Sequence, residues 1–315
     1  MAEIREVTGQ LEFPEGPIAM EDGSVILVEI ARGTLSRVSP SGAISVIAEL
    51  GGGPNGAAMG PDGKCYVCNN GGFIWHRRNG LIFPGMQPDD YSGGRIERVD
   101  LDTGEVEVLY RDCDGVPLKG PNDIVFDKTG GFWFTDHGKN RRRDRDRTGV
   151  FYARPDGDSI TEMIFPLEAP NGIGLSPLED NLYVAETPTG RLWSYELAAP
   201  GEIKREQYQA NAGGSMMPQL PDYHLFDSLA VDSGGNICVA TIITGGIAVH
   251  SADGKQVELI EMPDPLTTNI CFGGNDLQTA YITLSSTGRL VAMDWPRPGL
   301  PLNFLNTEGA SNATG

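Results

Sequence analysis

With a formal net charge of −19 over 315 residues, the chain is a poor partner for nucleic acid or an anionic membrane surface. Its 42 glycines and 22 prolines, with no long stretch of helical periodicity, point to tight turns joining short strands. The first residues, Met1-Ala2-Glu3-Ile4-Arg5, lack the basic-then-apolar run of a signal peptide, and no apolar stretch reaches ~18 residues, so a cytoplasmic protein is expected.

Residues 4–12 read as a strand-like run. A unit then begins that recurs six times, with an oxygen-bearing residue leading a strand each time. The copies are Phe13-Pro14-Glu15-Gly16, Gly53-Pro54-Asn55-Gly56, Lys119-Gly120-Pro121-Asn122-Asp123, Ala169-Pro170-Asn171-Gly172, Phe226-Asp227-Ser228-Leu229 and Thr267-Thr268-Asn269-Ile270. A turn signal and a second strand follow the leader, as in Pro61-Asp62-Gly63 before Tyr66-Val67. The leaders Glu15, Asn55, Asn122, Asn171, Asp227 and Asn269 are spaced by 40, 67, 49, 56 and 42 positions. Periods of that size, each holding three or four short strands, predict an all-β, six-bladed β-propeller spanning residues 1–315 as one domain.

The last copy has only three clear strands, Asn269 to Phe272, Thr279 to Leu284 and Arg289 to Met293. The N-terminal run within residues 1–12 is expected to pair there as the outermost strand and close the ring, removing two exposed edges. Residues 296–315 read as a C-terminal tail, loose at its end. Five cysteines, Cys65, Cys68, Cys113, Cys238 and Cys271, suit reduced thiols. Cys65 and Cys68 form a C-x-x-C, yet positions i and i+3 of a strand face opposite sides of its sheet.

Taken singly, each Pro-Asn-Gly is explained by a turn. The set is not, because Glu15 and Asp227 are charged and radial repetition gathers all six leaders at one end of an axial channel. The ends of the second strands return to that face, bringing Asn69-Asn70, Asp136-His137, Glu186-Thr187, Thr241 and Ser285-Ser286. Two long insertions land there too, residues 72–92 with Trp75 and Phe83, and residues 212–225 with Met216 and Met217. Long loops gathered on one face are binding loops or lids. Candidate substrate contacts are therefore Asn55, Asn122, His137, Asn269, Trp75 and Met216. The mixed-sign run Arg141 to Arg147 reads as a solvated loop.

Glu15, Asn122, Asn171 and Asp227 offer two carboxylates and two amide oxygens, with no Cys or His among them. Such hard donors suit one divalent cation, Ca²⁺ first, with Mg²⁺, Mn²⁺ and Zn²⁺ as alternatives. Gly-x-Ser-x-Gly, a Rossmann fingerprint and a P-loop are absent. A catalytic site of this composition is left with metal-assisted hydrolysis, Asp227 serving as ligand and general base.

At these residues the chain resembles the family of senescence marker protein, gluconolactonase and luciferin-regenerating enzyme, over essentially residues 10 to 295. The carriers are Glu15 in Phe-Pro-Glu-Gly-Pro, Asn122 in Pro-Asn-Asp, Asn171 in Pro-Asn-Gly and Asp227 in Phe-Asp-Ser-Leu-Ala-Val-Asp. Thr268-Asn269-Ile270-Cys271-Phe272-Gly273-Gly274 and Tyr281-Ile282-Thr283 also match. The resemblance implies a six-bladed propeller with one axial divalent cation that hydrolyses lactones. It implies Glu15, Asn171 and Asp227 as ligands, Asn122 as a further ligand or substrate contact, and Asp227 as the base. The substrate is then a small-molecule lactone, a sugar lactone or a less polar one. Two residues before Asn122, where animal members carry an Arg that contacts sugar hydroxyls, this chain has Gly120.

Two rival readings remain. An organophosphate hydrolase of the diisopropylfluorophosphatase type uses a similar donor set, but its structural-calcium Asp, three residues beyond the catalytic one, is Ala230 here. A non-enzymatic propeller scaffold would leave Glu15 and Asp227 to repel each other without benefit.

Overall fold

The computed structural model describes residues 3–205 and 213–306. Strands of four-stranded antiparallel sheets follow one another in chain order and form six blades. Blade 1 is Pro14–Ala19, Val25–Glu29, Thr34–Val38 and Ile44–Glu49; blade 2 is Pro54–Met59, Cys65–Asn69, Arg95–Val99 and Val106–Tyr110. Blade 3 is Pro121–Phe126, Phe132–Asp136, Thr148–Ala153 and Ile160–Leu167. Blade 4 runs Pro170–Leu175, Asn181–Glu186 and Arg191–Ala199, its outer position shared by the short pieces Glu202–Ile203 and Ser215–Met216. Blade 5 is Leu225–Val231, Ile237–Ile242, Gly246–His250 and Val257–Glu261. Blade 6 is Thr267–Gly273, Thr279–Leu284 and Arg289–Asp294, and Arg5–Thr8 pairs antiparallel with the last of these to close the ring.

Each first strand touches the first strand of the next blade, and blade 6 touches blade 1, so six innermost strands surround one axis. The core follows from strand alternation, because a strand buried on both faces sends successive side chains into different interblade layers. Six apolar clusters fill the six gaps. Cys65 and Val67 pack toward blade 1 while Tyr66 and Cys68 pack toward blade 3. The C-x-x-C cysteines thus lie on opposite faces of blade 2, and all five cysteines are buried and free.

The C-terminal segment up to residue 306 is tied across the far end of the channel. Arg297 Nε donates to Asp232 Oδ2 at 2.6 Å, Asn303 Nδ2 to the Phe126 carbonyl at 3.1 Å, and Asn306 Nδ2 to the Ala19 carbonyl at 3.0 Å. It caps a cavity of 560 Å³ walled by the far halves of the innermost strands, including Ile18, Met59, Phe126, Leu175 and Phe272. The stretch expected to be loose, residues 307–315, lies outside the described residues.

Candidate active site

The Pro-Asn segments are not turns. Asn55, Asn122 and Asn171 stand second in the innermost strands of blades 2, 3 and 4, and none has a left-handed backbone. All six innermost strands break register with their neighbour at the leader, between Glu15 and Ile18, Pro54 and Ala57, Pro121 and Ile124, Pro170 and Ile173, Phe226 and Leu229, and Thr267 and Asn269. Such irregularities re-aim a side chain locally. The glycine after a leader serves the neighbouring blade. A Cβ on Gly16 would come within 2.6 Å of the Asn55 carbonyl oxygen, one on Gly56 would strike Asn122 and Asp123, and one on Gly172 would come within 2.7 Å of the Asp227 carbonyl oxygen.

Glu15 is 2% exposed, and its Oε2 accepts from the Gly16 amide at 2.8 Å and from Asn269 Nδ2 at 2.7 Å. Burial raises the Glu15 carboxyl, against the pull of those hydrogen bonds. The Asp227 carboxyl is raised well above its ordinary value, by burial first and then by the charge of Glu15, with the Asn171 amide opposing. Asn171 Nδ2 donates to Thr187 Oγ1 at 3.1 Å, which fixes the amide and leaves Oδ1 with only a 3.4 Å contact from Ser228 Oγ. Asn122 is buried, and its Oδ1 has no hydrogen-bond partner. A buried orphan oxygen among the leaders of a ring that also buries two mutually repelling carboxylates is unfavourable as it stands. A hard dication answers both defects, so the donor set fits one. Among the described residues no cluster of three His, Cys, Asp or Glu side chains is placed to hold an ion.

Asn55 and Asn269 occupy the same register as the four donors. Asn269 is fully engaged, Nδ2 on Glu15 and Oδ1 on the Ile270 amide at 2.8 Å, so it orients Glu15. His137 follows the second strand of blade 3, half-buried, with Nδ1 3.4 Å from the Gly138 carbonyl; burial lowers it to about 4, so the ring is neutral at pH 7. Trp75 stacks obliquely on Phe13 with centroids 5.1 Å apart, two residues before Glu15. Met216 is not brought to this face. It pairs with Trp193 on the outer side of blade 4 and is 55% exposed, because the insertion supplies that blade's missing outer strand. Residue 212 of that insertion lies outside the described residues.

Asp123 was not anticipated. It is buried, its oxygens accept from the Ile124 and Ile173 amides at 3.0 and 3.2 Å, and burial plus the charge of Glu15 raise it to about 8. The signal was available, since a carboxylate replaces the glycine of the Pro-Asn-Gly copies. In the Arg141–Arg147 run, Arg141 pairs with Asp144 at 2.9 Å and Asp146 at 2.8 Å, while Arg145 and Arg147 face Glu168 at 3.8 and 4.0 Å.

Comparison with known proteins agrees with this picture. The sequence model described as SMP-30/Gluconolactonase/LRE-like region matches residues 13–286. A gluconolactonase of Zymomonas mobilis is 26% identical over 315 residues, covering 90% of this chain and 79% of its own length. Lactonase drp35 of Staphylococcus saprophyticus is 29% identical over 252 residues, covering 79% of this chain and 69% of its own. The solved structure of a calcium-binding regucalcin from Agrobacterium tumefaciens superposes with a TM-score of 0.71 at 18% identity, covering 96% of this chain and 98% of that one. The chain belongs to the SMP-30/gluconolactonase/LRE-like family.

Proposed function

We propose that the chain is a lactone hydrolase in which Glu15, Asn122, Asn171 and Asp227 hold one divalent cation, calcium by the class of the donors. The observation that carries this reading is the buried, unpartnered Oδ1 of Asn122 among the leaders of a ring that also buries Glu15 and Asp227, both raised by burial and the second also by the charge of the first. When bound, such a cation polarises the lactone carbonyl.

The chain's own groups do the rest. Asp227 takes the proton of the attacking water, and the cation it would hold favours its charged form against the burial that raises it in the protein alone. Water oxygen bonds to the carbonyl carbon, the ring C–O bond breaks, and the leaving alkoxide oxygen takes up the proton that Asp227 removed from the water, giving a hydroxy acid and restoring the carboxylate. Neutral His137 is suited to hydrogen-bond the ring oxygen as charge develops there. Asn269 and Thr187 hold Glu15 and Asn171 in orientation without touching substrate. Gly120 leaves no room for a polar arm, since a Cβ there would come within 2.8 Å of the Gly138 carbonyl oxygen, so a less polar lactone is favoured over a polyhydroxylated one.

The test is turnover of aldonolactones, alkyl lactones and aryl lactones with Ca²⁺, Mn²⁺, Mg²⁺ or Zn²⁺ added to chelator-treated protein, with a phosphotriester run alongside. Turnover that survives chelation, or that favours the phosphotriester over every lactone, defeats the proposal.

A further inference from the structure

Lys139 is 2% exposed and belongs to none of the apolar clusters between blades. Its Nζ donates to Asn70 Oδ1 at 2.9 Å and to the Gly72 carbonyl at 2.6 Å, and stands 3.8 Å from the centroid of Phe73 and 5.7 Å from that of Tyr91. Asn70, Gly72 and Phe73 begin the long mouth loop of blade 2, whereas Lys139 comes from blade 3. One amine therefore fixes the backbone of that loop where it leaves its own blade. The neighbouring residue continues the tie, the Asn140 carbonyl accepting from the Gln87 amide at 2.9 Å.

From Phe73 the contact passes inward. Phe73 meets Trp75 edge-on at 5.9 Å, and Trp75 meets Phe13, which leads into Glu15. Phe73 and Trp75 are both half-buried, so each keeps an accessible surface. A buried ammonium is costly, and the two carbonyl-type acceptors with the face of Phe73 offset part of the lost hydration but not all of it.

We propose that Lys139 positions an aromatic wall, Phe73 and Trp75, beside Glu15, and that this wall receives the apolar substituent of the lactone. The identity of the ligand rests on the lactonase reading; the positioning does not. Burial lowers the amine to about 7, with Asp136 and Asp146 acting the other way. Of the groups facing it, His137 is held neutral, the Tyr91 phenol is pushed up to about 12, and burial raises the Asp136 carboxyl while Asp146 is lowered beside Arg141. A loop conformer that hydrates Lys139 binds its proton more tightly. Acidification from about 10.5 toward 7 therefore favours that open conformer, by up to about tenfold per pH unit, and the effect levels off below about 7, where both conformers carry the proton.

Of the four tryptophans only Trp75 is half-buried, Trp133, Trp193 and Trp295 being buried, so acrylamide quenching of intrinsic fluorescence reports on it, with W75F as background. In wild type, quenching rises as pH falls from about 9.5 to 7 and is level below that. In K139M it is about twofold higher at pH 8 and independent of pH, and KM for a δ-lactone bearing an alkyl chain rises about tenfold while that of δ-valerolactone and both kcat values stay within about twofold. K139R keeps the charge at every pH, so its quenching at pH 8 matches wild type at pH 6, and it substitutes for K139M if that variant unfolds. Unchanged quenching in folded K139M or K139R overturns the positioning role. Quenching that changes while KM for both lactones moves equally overturns the substrate assignment alone. If wild type turns over no lactone, the lactonase reading fails, and quenching by itself decides the role of Lys139.

Discussion

The side-chain nitrogen of Asn269 donates to Oε2 of Glu15 at 2.7 Å, joining the last innermost strand to the first across the seam of the ring. The backbone closes the same seam at the rim, where Arg5–Thr8 pairs with Arg289–Asp294. At the axis the closure has a chemical use, since it keeps one oxygen of a buried carboxylate occupied and opposes the rise that burial imposes on it. Asn269→Ala removes a charge-assisted bond of ~1.5–3 kcal/mol, and Ca²⁺ affinity by titration calorimetry falls by about ten- to a hundredfold. Wild-type affinity in that variant means that Glu15 is oriented by something else.

Glu15 and Asp227 oppose the fold when no cation is present, because each is buried and the charge of the first raises the second. Asp227→Asn and Glu15→Gln are therefore expected to raise the melting temperature of chelator-treated protein by a few degrees while abolishing metal-dependent turnover. The two readouts move in opposite directions, which a simple loss of fold cannot imitate. A lower melting temperature in both metal-free variants contradicts the repulsion.

Repetition made much of this legible. The six leaders recur at blade-sized intervals, and radial repetition follows from that, so the blades and the closing strand could be read from the sequence. Local turn chemistry misled where it competed with the neighbouring blade. Pro-Asn-Gly looks like a turn, but Gly56 and Gly172 are small because the next strand's backbone lies against them. Met216 was misplaced because its insertion supplies an edge strand to blade 4, a tertiary need with no local periodicity. Lys139 carries no pattern at all, being a single lysine in a mixed-charge loop. Asn303 and Asn306 read as tail residues, yet their amides bond the backbone of blades 3 and 1.

The glycines that let innermost strands meet give a stability prediction. In Gly56→Ala the new Cβ strikes the backbone of Asn122 and Asp123, neither of which is the flexible end of a side chain. Overpacking of this kind costs ~1–3 kcal/mol and displaces Asn122 from the ring. Urea denaturation gives the first quantity and calcium titration the second, with Gly9→Ala, whose nearest contact is 3.4 Å, as the control. A variant as stable and as tight for calcium as wild type would show that the hub has slack.

His250 supplies the pH dependence. It is fully buried in the third strand of blade 5, edge-on to Phe226 at 5.6 Å, and burial lowers its imidazole to about 4 from an ordinary 6.5. A base with a lowered folded value binds fewer protons folded than unfolded between those two limits. Its contribution is present above pH 6.5, declines as pH falls through that window and levels off below 4, a loss of about 3 kcal/mol. His250→Leu removes the titrating group and keeps an apolar side chain against Phe226. Unfolding free energies measured by denaturant from pH 7 to pH 4 are then expected to fall less steeply in the variant, by about one proton's worth of slope. Parallel curves for the two proteins would mean that this imidazole picks up its proton without unfolding the blade.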